Sequence, residues 1–133
     1  MEILIAEDEF SSRNLLKQVL TKLVHKAIVT ETGQEAWTLL QDRKIKIVIC
    51  NWTMPQMDGL ALCHKIRSLK QHDYIYVILL TANDRKTNRV DVLRAGADDY
   101  IPKPIDPEEL RARVMTGIRV ADLQERHRQL ATT

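Results

Sequence analysis

Short apolar runs that alternate with longer segments of helical period predict an α/β fold, with successive βαβ units laid around a parallel sheet. Two observations carry the prediction. Five runs read as strands: Ile3-Leu4-Ile5-Ala6, Ala27-Ile28-Val29-Thr30, Ile45 to Cys50, Tyr76-Val77-Ile78-Leu79-Leu80 and Asp99-Tyr100-Ile101. The third is apolar enough to be buried on both faces, as strands inside a parallel sheet are. Between the runs, apolar residues recur every three or four positions, the period of a helix with one buried face. At 133 residues, 44% of them hydrophobic, the chain can bury a single core unaided.

Each helix has its own signal. The first begins at Ser11 or Ser12, either a good N-cap, and turns Leu15, Leu16, Val19, Leu20 and Leu23 inward. The second spans Glu35 to Gln41 with Ala36, Leu39 and Leu40 inward. The third starts near Asp58 and carries Leu60, Leu62, Cys63, Ile66 and Leu69. The fourth runs from about Arg85 to Ala95, with a thin apolar face of Val90 and Leu93, and Gly96 suits a left-handed C-terminal cap. Pro107 suits the first turn of the fifth, whose Leu110, Val114, Ile118 and Ala121 face the core. From Asp122 the sequence turns polar with no Gly or Pro to stop a helix. It reads as a solvated tail or as a helical linker toward another domain, the spacing of Leu123 and Leu130 adding a faint heptad to the second reading.

Composition excludes several classes. The net charge is +2 with basic residues scattered, unlike the basic stripe of a nucleic-acid binder. No apolar run approaches the roughly 20 residues that span a bilayer. The start, Met1-Glu2-Ile3-Leu4, has no signal-peptide pattern, so a cytoplasmic protein is expected. Cys50 and Cys63 lie in apolar stretches and read as small hydrophobes.

The chemistry collects at the strand ends. Open parallel sheets bind ligands beyond the carboxyl ends of their strands. Glu7 and Asp8 follow the first strand, Asn51 ends the third, Thr81 ends the fourth and Lys103 follows the fifth. Singly, these are ordinary loop charges and caps; together, at one edge, they describe a phosphoryl site. Adjacent carboxylates and a backbone carbonyl suit Mg²⁺, a hard ion that takes oxygen ligands and keeps several waters. A hydroxyl and a lysine can hold two oxygens of a transferring phosphoryl group. A carboxylate at position 51 would attack phosphorus to form an acyl phosphate. Asn51 offers an amide, a very poor nucleophile.

Over residues 1 to 121 the chain resembles the receiver domain of bacterial two-component response regulators. Glu7-Asp8 match the family's acidic pair, and Asn51-Trp52-Thr53-Met54-Pro55-Gln56-Met57-Asp58-Gly59 match its acceptor motif except at the first position. Thr81-Ala82 match its switch hydroxyl and following small residue, and the segment from Gly96 to Pro104 matches Gly-Ala-x-Asp-Tyr-x-x-Lys-Pro. The resemblance implies a flavodoxin-like (βα)5 fold with strand order 2-1-3-4-5. It implies Mg²⁺ held by Asp8, by Glu7 through water, by position 51 and by the Thr53 carbonyl. Thr81, the Ala82 amide and Lys103 would meet phosphoryl oxygens, and the bond before Pro104 would be cis. Thr81 and Tyr100 would form the switch. Implied partners are a sensor histidine kinase or other signalling protein, a C-terminal output domain beyond the extension 122–133, and a second copy through helix four, strand five and helix five. Asp98 or Asp99 with Arg111 or Arg113 would supply ion pairs there, between copies or within one chain. No nucleic acid or membrane contact is implied.

Asn51 sets the terms of that resemblance. It marks equally a receiver that works without phosphorylation and one whose acceptor has been replaced. With it, Glu7, Asp8 and Lys103 leave the pocket at −1 instead of −2. At about 4 Å and an effective dielectric near 20, each unit-charge pair is worth roughly 4 kcal/mol gross. Mg²⁺ binding should therefore weaken. A switch needs a ligand that binds one state better, so a resting arrangement is expected, with Tyr100 turned outward and Thr81 away from the site. The competing readings are a Mg²⁺-dependent phosphotransferase or phosphatase, which would also need a nucleophilic Asp, and a flavin-binding domain, whose phosphate the Glu7-Asp8-Glu9 loop would repel.

Overall fold

Period-two alternation along the strands divides the interior into two apolar layers, one on each face of the sheet. The computed structural model describes residues 1–23, 26–69, 73–82 and 89–132. Strands β1 (Glu2–Ala6), β2 (Lys26–Thr30), β3 (Ile47–Asn51), β4 (Tyr76–Thr81) and β5 (Asp99–Pro102) pair in parallel in the order β2-β1-β3-β4-β5. Helices α1 (Phe10–Lys22), α2 (Gly33–Asp42), α3 (Gly59–Arg67), α4 (Arg89–Ala95) and α5 (Pro107–Thr132) follow the strands in turn. This is the flavodoxin-like arrangement expected from the sequence.

Ile3, Ile5, Ile47, Ile49, Ile78 and Leu80 face α1 and α5, where Leu16, Leu20, Leu110 and Val114 meet them. Leu4, Val48, Val77 and Leu79 face the other way, onto Ala36 and Leu40 of α2 and Leu62 and Ile66 of α3. Each fully buried Leu, Ile or Val side chain contributes about 1.5–3 kcal/mol through burial, so the strands are the rigid part of the molecule. Both cysteines are free and buried, and burial pushes the Cys63 thiol up to about 11. Among the described residues, no helix is long and apolar enough to cross a membrane.

Several boundaries differ from expectation for physical reasons. Helix α1 is not capped by Ser11 or Ser12. It starts earlier, on Glu9 as N-cap, and both serine hydroxyls donate to Glu9 Oε1, at 2.9 and 3.1 Å. Helix α2 starts two residues before Glu35, because Thr32 caps it by accepting from the Glu35 amide at 3.1 Å. The Thr32-x-x-Glu35 capping pattern was legible in the sequence. Ile45 is buried ahead of β3 instead of inside it. In α4 the residue expected inward, Val90, is 49% exposed, and Val92 and Ala95 are buried in its place. The start near Arg85 and the Leu93 side chain lie outside the described residues. Gly96 follows α4 with φ of 91°. Helix α5 continues unbroken through the polar segment to Thr132.

Candidate functional site

Strand register brings the chemistry together. Ala6 lies opposite Cys50, Asn51 opposite Leu80 and Thr81 opposite Pro102, so the residues that end or follow β1, β3, β4 and β5 emerge at one level. The Lys103 amide donates to the Thr81 carbonyl at 2.7 Å, which fixes the last of them. The Lys103–Pro104 peptide is cis.

Glu7 is fully buried, with its amide donating to the Thr30 carbonyl at 3.1 Å. Its Oε1 lies 2.5 Å from Lys103 Nζ, and the same ammonium is 3.8 Å from Glu9 Oε2. Burial raises the Glu7 pKa, and the neighbouring Lys103 offsets only part of that shift. Glu9 behaves in the opposite sense: hydrogen bonds from Ser11 and Ser12, helped by Lys103, hold its carboxyl low. Thus Lys103 serves as counter-ion to Glu7 first.

Asp8 is exposed and Asn51 half-buried. Asn51 Nδ2 donates to Asp8 Oδ1 at 3.1 Å and to the Thr53 carbonyl at 2.9 Å. A carboxylate and a carbonyl both accept, so the nitrogen of the amide must be the atom that faces them. Thr81 is buried, Ala82 exposed, and Tyr100 half-buried against the layer beneath α3. Apolar neighbours of that layer cover part of the Tyr100 ring and the rest is open to solvent.

The loop that carries Thr53 is clamped. Trp52 donates its amide to the Leu80 carbonyl at 2.8 Å, and Gly59 donates to the Trp52 carbonyl at 2.9 Å. Gln56 and Met57 have φ of 53° and 96°, a left-handed pair that costs on the order of 1–3 kcal/mol per residue without glycine. The Gln34 amide at the start of α2 accepts that burden by donating to the Gln56 carbonyl at 3.1 Å. Gly33 makes the approach feasible: a Cβ there would lie 2.0 Å from the Met57 carbonyl oxygen. Sequence reasoning missed Gly33 as a support of the site, although its place beside a cap residue was visible.

The donor set as arranged does not fit Mg²⁺. Glu7 is engaged by Lys103, and a nitrogen donor at position 51 faces the Asp8 and Thr53 oxygens, where the ion would need an oxygen ligand. Among the described residues, no group of three or more His, Cys, Asp or Glu is placed to hold a metal.

Residues 3–115 match the response regulator receiver domain family. The chain belongs to that family. The receiver domain is 34% identical over 116 residues to a chemotaxis protein CheY homolog of Campylobacter jejuni, covering 86% of this chain and 89% of the relative. It is 38% identical over 118 residues to the transcriptional regulatory protein SrrA of Staphylococcus aureus, covering 89% of this chain but 48% of that longer protein. A response regulator structure from Chloroflexus aurantiacus superposes with a TM-score of 0.83 at 27% identity, over 89% of this chain and 97% of that one.

The carboxylates at the start of β5 are paired within one copy. Asp99 receives Arg113 Nη1 at 2.8 and 3.1 Å, and Asp98 receives Arg67 Nη2 at 2.8 Å. Arg67 was not singled out from the sequence, yet it also donates to the carbonyls of Gly96 and Ile75, each at 2.7 Å, and stacks on Tyr74. One side chain at the end of α3 thereby ties β4 to the start of β5. Arg111 is exposed.

Proposed function

We propose that this receiver domain signals by binding partner proteins and takes up no phosphoryl group at position 51. The observation that supports this is the amide at the end of β3: Asn51 occupies the position from which the family motif would present a carboxylate, and its nitrogen is bound to Asp8 and Thr53. An amide cannot form the acyl phosphate on which phosphorylation depends. Lys103, which the resemblance assigns with Thr81 and Ala82 to phosphoryl oxygens, is here committed to Glu7. The chain is a signalling module in this reading, and the phosphotransferase alternative gains nothing from the geometry because it needs the same missing nucleophile.

The partners are a sensor histidine kinase or another signalling protein, a second copy through α4, β5 and α5, and an output domain. Residues 1–121 form the receiver, and 122–133 lead toward that output domain. The unbroken course of α5 to Thr132 supports the last point, as does the greater length of SrrA, of which the chain spans about half.

Incubation with Mg²⁺ and acetyl phosphate tests the proposal. The intact mass should stay unchanged, and Asn51→Asp should gain one acid-labile phosphoryl group. A labile phosphoryl group mapped beside residue 51 of the unmodified chain would overturn it.

A further inference from the structure

The Asn51 side chain stands where a cation is wanted, and we propose that its amide nitrogen acts as the built-in substitute for one, so that the acidic pocket is complete without a divalent ion and does not respond to Mg²⁺. This inference rests on the reading of position 51 given above.

The geometry argues for it in three steps. Two oxygens converge on one nitrogen: Asp8 Oδ1 at 3.1 Å and the Thr53 carbonyl at 2.9 Å. The Asn51 amide has two hydrogens, one for each acceptor, so both oxygens are satisfied by a single group. The charge of the remaining acid is answered separately: Lys103 Nζ lies 2.5 Å from the buried Glu7 Oε1, an ion pair whose geometry leaves that oxygen without a hydrogen bond. What is left is Asp8, exposed to water and already bonded. The Thr53 carbonyl cannot drift away from this bond, because its loop is pinned to α2 and β4 through Gln56 and Trp52. An incoming ion must therefore break both amide bonds and turn the side chain over before position 51 offers it an oxygen ligand. It does so for one carboxylate fewer than an acidic residue at position 51 would provide.

This makes a prediction opposite to that of a weak metal ligand. If the Asn51 amide were a feeble ligand, Asn51→Ala would bind Mg²⁺ less well than the unmodified protein. If the amide is a competitor, Asn51→Ala releases Asp8 and the Thr53 carbonyl and binds the ion better. Calorimetric titration with Mg²⁺ alone, on the whole chain, distinguishes them. No heat beyond dilution is expected for the unmodified protein at millimolar Mg²⁺. Measurable binding is expected for Asn51→Ala, and binding at least about tenfold tighter again for Asn51→Asp, a gain of about 1.4 kcal/mol. The side-chain ¹⁵N–¹H₂ signals of Asn51 give a second readout: in the unmodified protein they should exchange slowly with water and stay in place as Mg²⁺ is added.

Tighter binding by the unmodified protein than by Asn51→Ala overturns the inference, as does Mg²⁺-dependent movement of the Asn51 amide signals. Absence of binding by all three proteins overturns it too, since releasing the oxygens then changes nothing. These outcomes are separate from the phosphodonor experiment. A chain that is never phosphorylated but binds Mg²⁺ through Asn51 would leave the proposed function standing and remove only this inference.

Discussion

The two ends of the sheet carry ion pairs of the same chemical kind in opposite surroundings. At the carboxyl edge, Lys103, itself 19% exposed, meets a Glu7 side chain that is 0% exposed. At the amino edge, the extension of α5 returns to the sheet through Lys46 with Glu125 at 3.2 Å and Arg128 with Asp73 at 3.1 Å, all four side chains reached by solvent. Water decides what each pair is worth. Exposed pairs are screened and contribute little, whereas removing one partner of a buried pair strands a charge in a medium that cannot solvate it. The upper pair thus governs the state of the pocket. The lower ones only hold the last turns of a helix against the body.

The largest test of that contrast is Lys103→Met. It leaves the Glu7 carboxylate buried and unpaired, and the loss should be about 3–5 kcal/mol at neutral pH, read from denaturant unfolding. The pH dependence has a definite sign. Burial already raises the Glu7 pKa, and without Lys103 it rises further, so the folded form takes up a proton more readily than the unfolded one. The deficit should therefore shrink as the pH falls through the raised value. Full stability of Lys103→Met at neutral pH would erase the distinction between the two edges.

A smaller effect is expected from Gly33→Ala, which probes the clamp on the site loop. The new Cβ would meet the Met57 carbonyl at 2.0 Å, and the overlap should cost about 1–3 kcal/mol. Displacement of the loop should also free the Asn51 amide from Thr53, visible as faster hydrogen exchange of its side-chain protons. An unaltered amide signal would show that α2 does not hold the loop in register.

The smallest effect concerns the amino edge. Glu125 is held down to about 2, chiefly by hydrogen bonds from Arg128 and Lys46. A depressed carboxylate contributes above its unfolded pKa and loses that contribution as the pH falls through the folded one. The end of α5 should thus fray between about pH 4.5 and 2, seen as loss of amide protection in residues 122–132. Glu125→Gln should fray in the same way at neutral pH while the unfolding midpoint of the body stays put. A large fall in that midpoint would mean the extension is part of the core.

Fold class, and the edge at which the chemistry gathers, are written in the local pattern of residues. Strands apolar on both faces, as Ile3 to Ala6 and Ile47 to Cys50 are, alternate with helical segments as in a parallel sheet covered by helices, and such a sheet delivers the residues after its strands to one side. Asn51 was likewise readable as the point of departure, because nucleophilicity belongs to the residue type. How the charges are shared emerges only on folding. Nothing in the chain said that Lys103 would take Glu7 as its partner, that the Asn51 nitrogen would meet Asp8 and Thr53, or that Arg67 would hold Asp98. The physical reason is range. Periodicity and capping act over a few neighbouring residues and leave their mark in the sequence, whereas burial and pairing of a charge depend on groups tens of residues apart that only the folded backbone sets at hydrogen-bonding distance.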